Sequence, residues 1–148
     1  MDLSVDYGME YDKATDAAVD PYNQASIDAH FLFKHSPGVL LSGQRVLLAA
    51  AERITMPPDH LGPICLRSTW ARLGLLAPTT IVDPGFEGYL TMELFNAAAY
   101  DITIRPGDKI WTLVQLPISN WPLYEGRYQY QGRGAKLPRA LAPPLGQV

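Results

Sequence analysis

The sequence predicts an all-β fold, closed or sandwich-like, of short strands with one short helix, built as a single domain over residues 1–148. Three observations predict it. Turn formers are dense, with 13 Pro and 12 Gly in 148 residues, and they cut the chain into pieces of strand length. Aromatic residues, which suit a pleated and half-buried surface, are plentiful, with eight Tyr and three Trp. No amphipathic helices of about 10–15 residues alternate with these pieces, which argues against a parallel α/β sheet.

The elements follow in order. Residues 1–23 carry Asp2, Asp6, Glu10, Asp12, Asp16 and Asp20 against Lys13 alone. They read as an acidic N-terminal arm, either solvated or packed on a neighbouring subunit. Ser26 to Phe33 reads as a strand, and Pro37-Gly38 turns the chain. Arg45 to Ala50 reads as a mostly buried strand that Pro57-Pro58-Asp59 breaks. Leu61 to Leu66 is strand-like, with Cys65 expected in the core. Arg67 to Gly74 reads as the short helix. Ile81 to Asp83 and Tyr89 to Phe95 are strands about the turn Asp83-Pro84-Gly85. Ile102 to Arg105 and Lys109 to Leu116 read as a hairpin around Pro106-Gly107-Asp108. Residues 123–148 turn polar and basic and are expected as a mobile C-terminal tail.

Bulk properties narrow the function. A chain of this length buries roughly 70% of its unfolded surface without disulfide staples. The net charge of −3 disfavours a nucleic-acid partner bound through phosphate neutralisation. No long apolar run suggests a membrane span. Met1 to Asp6 lacks the basic and apolar regions of a secretory leader, and Cys65 is the one cysteine. A cytoplasmic location is therefore expected.

Four places carry candidate chemistry. In Tyr89-Leu90-Thr91-Met92-Glu93-Leu94-Phe95, the period of two puts Glu93 on one face with Tyr89, Thr91 and Phe95. That face is either open to solvent or the setting for a general base. In Arg67-Ser68-Thr69-Trp70-Ala71-Arg72, Ser68 is suited to the N-cap, and Ser68 and Arg72 are four residues apart on one helical face. The stretch is either an anion site or an ordinary capped surface helix. Asp83 either caps its turn or accepts a hydrogen bond from a sugar hydroxyl. Tyr124, Arg127, Tyr128, Gln131, Arg133, Lys136 and Arg139 mix aromatic and basic groups with Gly. They suit a lid over phosphates, or a disordered basic tail. Against these, the three histidines form no H-x-E pattern and a single cysteine makes no C-x-x-C pair, so the zinc-deaminase signature is missing. No G-x-S-x-G motif supports a serine nucleophile.

Taken in order, several motifs resemble the dCTP deaminase/dUTPase superfamily, and dCTP deaminase most. They are Gln24-Ala25-Ser26-Ile27-Asp28, Ser42-Gly43-Gln44, Met56-Pro57-Pro58-Asp59-His60-Leu61-Gly62, Arg67-Ser68-Thr69-Trp70-Ala71-Arg72-Leu73-Gly74-Leu75, Val82-Asp83-Pro84-Gly85-Phe86-Glu87-Gly88, Leu90-Thr91-Met92-Glu93-Leu94-Phe95-Asn96, Ile104-Arg105-Pro106-Gly107-Asp108-Lys109-Ile110 and Arg127-Tyr128-Gln129-Tyr130-Gln131-Gly132. The resemblance runs from about residue 24 to 139. It implies a distorted, jelly-roll-like β-barrel of the dUTPase type, assembled as a homotrimer with active sites between subunits, and a deoxynucleoside triphosphate, dCTP or dUTP, as the bound partner. It also implies Mg2+ carried on the triphosphate, with no metal held by a protein cage. Glu93, ten residues after Asp83, matches the family's base, with Ser68 and Arg72 completing the catalytic set. Arg67, Thr69, Asp83, Thr91, Met92, Thr112, Tyr124, Arg127 and Gln131 match positions that bind substrate. The implied reaction is zinc-independent hydrolytic deamination of dCTP to dUTP, or onward to dUMP and pyrophosphate in bifunctional members. A dUTPase on the same scaffold, or an idle nucleotide-binding protein, are the alternatives. The chain departs from the family pattern in the short stretch between His30 and Ser42 and in a shortened loop from Gly74 to Asp83. Arg127 stands where lysine is common, and Thr112 stands where dUMP-forming members use glutamine.

Overall fold

The computed structural model describes residues 1–35 and 38–143. The described residues form eleven strands and two one-turn helices: β1 (Asp2–Asp12), α1 (Gln24–Asp28), β2 (Phe31–Lys34), β3 (Gly38–Leu40), β4 (Arg45–Thr55), β5 (His60–Leu66), α2 (Ser68–Arg72), β6 (Leu75–Leu76), β7 (Thr80–Val82), β8 (Glu87–Asn96), β9 (Ile102–Ile104), β10 (Lys109–Leu113) and β11 (Leu116–Pro117). Nine strands form one curled antiparallel sheet in the order β11-β5-β10-β1-β4-β8-β6, with β2 beside β1 and β7 beside β5. Strands β3 and β9 form a second, two-stranded sheet. The expected all-β fold is the one observed. Pro37, of the expected Pro37-Gly38 turn, and residues 144–148 of the expected tail lie outside the described residues.

The centre of the sheet is the trio β1, β4 and β8. Val46, Leu48 and Ala50 of β4 and Met92 and Leu94 of β8 are buried, as period-two alternation dictates for strands with one face on the core. Leu3, Val5, Met9 and Tyr11 of β1 join them. This corrects the acidic N-terminal arm. The carboxylates of residues 2–12 mask an alternating apolar pattern, and three of the four are themselves partnered. Asp2 pairs with Arg67, Asp6 with Arg133 and Asp12 with Arg45. Only residues 13–23 keep the exposed, irregular character expected of an arm.

Three further expectations are corrected. Ser26–Phe33 is not one strand. Asn23 caps a helical turn by accepting a hydrogen bond from Ser26 N at 3.2 Å, and the strand begins only at Phe31. β9 and β10 do not form a hairpin: β9 pairs with β3, whereas β10 pairs with β1 and β5. The turn between them docks on β1 instead, through Gly107 N to Val5 O at 2.8 Å and Val5 N to Asp108 O at 3.0 Å. That contact carries the chain from one sheet to the other. Cys65 is exposed rather than in the core, because Ile64, its neighbour in the alternation, takes the inward position.

If β1 is a core strand, Leu3→Ala leaves a cavity and lowers the free energy of unfolding by about 3 kcal/mol. Urea unfolding measures this, and a change below about 0.5 kcal/mol, the range for exposed sites, would restore the free arm.

Candidate active site

Strands β4 and β8 place the central group. Leu47 lies opposite Glu93, and Ala49 opposite Thr91. The side chains of Leu47, Ala49, Thr91 and Glu93 therefore share the face away from Leu48 and Met92. This face opens into a cavity of about 320 Å³. β7 supplies Ile81 to its wall, the turn after β7 supplies Asp83, and β8 supplies Tyr89, Thr91 and Glu93. Glu93 is half-buried and accepts no hydrogen bond among the described residues.

The C-terminal segment closes the remaining side. It has little regular structure up to residue 143, yet it is laid along β8 rather than free. Gln131 bridges Gly88 in parallel, and its carbonyl accepts from Tyr89 N at 2.9 Å. The Gln131 amide donates to Tyr89 O at 2.9 Å and to the Thr91 hydroxyl at 3.0 Å. Lys136 N donates to the same hydroxyl at 3.0 Å. Gly88 permits this approach, since a Cβ there would sit 2.8 Å from Gln131 N, and its φ of 150° disfavours a side chain. Tyr124 packs edge-on against Phe86 at 5.5 Å, with its backbone N–H on Pro84 O at 2.8 Å. Arg133 forks onto the buried Asp6 with two contacts of 2.8 Å. The expected mobile tail is thus a docked segment over residues 124–141.

The structure sorts the expected site residues into groups. Asp83, Thr91, Glu93, Tyr124 and Gln131 meet in the cavity. Arg67, Ser68, Thr69 and Arg72 do not: they form α2 and its entry, away from it. Thr112 joins that second group through Asp2, which accepts from the Thr112 hydroxyl at 3.2 Å and from Arg67 at 3.0 Å. Arg67, not Ser68, occupies the N-cap of α2, and its side chain makes no capping bond. Ser68, Thr69 and Arg72 are exposed. The Met92 side chain is buried on the core face and lines no part of the cavity. Arg127 turns away, donating to Arg139 O at 3.2 Å and Ala140 O at 2.7 Å. The tail carbonyls satisfy its guanidinium instead of a cavity group.

Sequence reasoning missed Arg45, which lines the same cavity as Glu93. The apolar run Val46 to Ala51 hid the alternation that places Arg45 on the Glu93 face. The side chain of Asp12, on β1, accepts from Arg45 Nε at 3.0 Å and Nη2 at 2.8 Å. This bond raises the Arg45 pKa above its ordinary value; burial opposes it, and the negative charges of Asp12 and Glu93 reinforce it. Tyr128 and Lys136 also line the cavity. Among the described residues no three His, Cys, Asp or Glu side chains converge as a metal site. No described helix is long and apolar enough to cross a membrane.

Residues 2–115 match the family of dCTP deaminase-like domains. The chain belongs to that family. Among similar proteins, the dCTP deaminase of Aeropyrum pernix is 34% identical over 149 residues, covering 99% of this chain and 83% of that one. The dCTP deaminase of Pyrobaculum neutrophilum is 43% identical over 96 residues, 65% of this chain but only 54% of the relative. The chain thus spans about half the length of several such relatives. The crystal structure of the 2'-deoxycytidine 5'-triphosphate deaminase of Agrobacterium tumefaciens aligns with a TM-score of 0.62 at 15% identity, over 76% of this chain and 36% of that one. A phage phi11 dUTPase aligns at 0.52 and 20% identity, over 61% and 76%. At these identities the solved structures speak for the fold alone: a dCTP deaminase-like domain shares it with dUTPases.

Beside the cavity lies a second hollow of about 660 Å³, which shares Arg45, Tyr128 and Pro138 with it and is walled by His30 and the 13–23 loop. Both His30 ring nitrogens face carbonyl oxygens, Nδ1 to Ser26 O at 2.6 Å and Nε2 to Ala17 O at 2.9 Å. Only the imidazolium donates to both. The Ala17 and Ser26 carbonyls raise the His30 pKa, against burial and the charge of Lys13. A raised folded-state pKa means that the stabilisation is complete below the ordinary imidazole value and is lost as pH rises through the folded value. Amide protection at Asp20 and Tyr22, corrected for intrinsic exchange, should therefore fall between about pH 5.5 and pH 8. Hydrogen exchange measures it, and protection that does not change with pH would show that His30 does not hold the loop.

Proposed function

We propose that the protein catalyses zinc-independent hydrolytic deamination of dCTP to dUTP, as a cytoplasmic homotrimer with Mg2+ carried on the triphosphate. The observation that supports this reading best is the placement of Glu93. A carboxylate in mid-strand, half-buried and without a hydrogen-bond donor among the described residues, stands at a cavity that also holds Asp83, Thr91, Tyr124 and Gln131. Burial of a charged group without a partner is costly, so such a position favours a functional role.

In this reading Glu93 takes a proton from water as its oxygen attacks C4 of cytosine. It gives that proton to the ring nitrogen, then takes the proton of the hydroxyl now on C4 and passes it to the amino group, which leaves as ammonia while C4 keeps the oxygen as a carbonyl. Asp83 accepts a hydrogen bond from the 3′-hydroxyl. Thr91 and Met92 meet the base through their backbone. Tyr124, Gln131 and the tail cover the nucleotide, with Arg127 joining only if the tail releases it from Arg139 O and Ala140 O. Ser68 and Arg72 reach the water and Glu93 from a neighbouring subunit, and Arg67, Thr69 and Thr112 meet phosphate and sugar from that side. Magnesium, when bound, neutralises triphosphate charge. The acidic wall of Asp83 and Glu93 is compatible with a metal that arrives on its nucleotide.

With dCTP and magnesium the protein should release ammonia, and Glu93→Gln should lower kcat by at least about a hundredfold. Pyrophosphate from dUTP with no ammonia from dCTP would make it a dUTPase instead. Turnover of neither would leave a binding protein. A second test addresses the shared site. An equal mixture of Glu93→Gln and Arg72→Ala chains, refolded together, should regain about a quarter of wild-type activity if each site takes one group from each of two subunits. No recovery would place both groups within one chain.

A further inference from the structure

We propose that Arg45, held by Asp12, is a positioning residue for Glu93: it fixes a cation beside that carboxylate, so that the carboxylate is aimed when water arrives. The inference rests on Glu93 as the base. It names a residue outside the motifs discussed above, on a different strand from the glutamate.

The register makes the placement firm. Arg45 lies opposite Phe95 and Leu47 opposite Glu93, so Arg45 and Glu93 are diagonal neighbours on one face of β4 and β8. Both line the cavity. Asp12, on the strand flanking β4 on the other side, grips the guanidinium through Nε and Nη2, leaving Nη1 unused by that fork. A planar fork gripped at two atoms has little freedom to swing, so the charge is pre-organised. The other charged and titratable groups around the cavity are Asp83, Lys136 and the phenols of Tyr89, Tyr124 and Tyr128. Lys136 is the other cation among the cavity's described lining residues, and its ammonium is committed to Arg133 O at 3.0 Å. Arg45 is therefore the fixed positive charge on the Glu93 side. A cation near a carboxylate favours its ionised form.

An ordinary cross-strand ion pair is the competing explanation, since the Arg45 and Asp12 side chains are 45% and 43% exposed. Such pairs add little to stability. The two explanations differ in what pH does. Wild type, Arg45→Met and Arg45→Lys would be assayed for ammonia release from dCTP with magnesium between about pH 5.5 and 9. The Glu93 carboxyl carbon would be followed by NMR over the same range without substrate. Arg45→Met should lower kcat several-fold more at the acid end of that range than at the alkaline end, and keep KM nearly unchanged. Arg45→Lys should restore the profile, and high salt should shrink the difference. In the carboxyl titration, Arg45→Met should move the Glu93 midpoint to higher pH. A loss of activity that is the same at every pH, or a Glu93 titration that ignores Arg45, overturns the proposal. The two readings fail separately. Wild-type protein that releases no ammonia sinks the deaminase, while the carboxyl titration still decides whether Arg45 governs Glu93.

Discussion

The pairing of β4 with β8 is the constraint on which the site depends. Because side chains alternate with a period of two, a slip of one residue would turn Glu93 into the core and put Met92 and Leu94 in the cavity. The core prevents that slip. Val46, Leu48, Met92 and Leu94 are all at most 2% exposed, and they interlock on the opposite face. The far end is pinned by Asn96, fully buried, whose amide donates to Leu40 O at 3.0 Å and Tyr100 O at 2.8 Å. Orphaning that amide would cost more than the bonds return, so the register is fixed at its end as well as along its length.

The first strand has a second organising role. It stands between β4 and β10, and its carboxylates reach residues distant in sequence. Asp2 ties down the entry to α2, Asp6 the tail at Arg133, and Asp12 the cavity wall at Arg45. Each pair joins the N-terminal strand to an element that forms a wall of the candidate site or its α2 counterpart. An acidic strand at the centre of a sheet is tolerable because the acids lie at its ends or meet cations, while Leu3, Val5, Met9 and Tyr11 fill the core.

Much of this was legible in the sequence, and the failures share a cause. The strand carrying Glu93, the turn at Asp83 and the one-turn helix after Arg67 are set by local pattern, and each was found. Residues 2–12 read as an arm because Asp2, Asp6, Glu10 and Asp12 dominate their composition, while Leu3, Val5, Met9 and Tyr11 carry the alternation that makes them a strand. The false hairpin at Pro106-Gly107-Asp108 arose because a turn motif fixes a change of direction and not the partner. The partner is chosen by tertiary contacts, here Gly107 and Asp108 on Val5. Arg45 was missed for a related reason. Its chemistry depends on which residue lies across from Leu47, and no single stretch of sequence contains that information.

The separation of the candidate residues into two places bears on assembly. Within one chain, Ser68, Thr69 and Arg72 are exposed and have no partner in the cavity, while the Glu93 carboxylate lacks a donor among the described residues. Each half has what the other lacks: hydroxyl and guanidinium donors on α2, and an acceptor at the cavity. Beside α2, Leu73, Leu76 and Phe95 are 40%, 57% and 38% exposed, and Leu76 and Phe95 face each other across β6 and β8. An apolar edge bordered by unused polar groups has the make-up of an interface whose centre is dry and whose rim is polar. Rotational symmetry would repeat that edge against the cavity of a neighbour, so each copy would both give and receive a donor set. The proposed trimer thus accounts for the exposed apolar edge and for the unpartnered glutamate by the same contact, whereas a lone chain leaves the two unrelated.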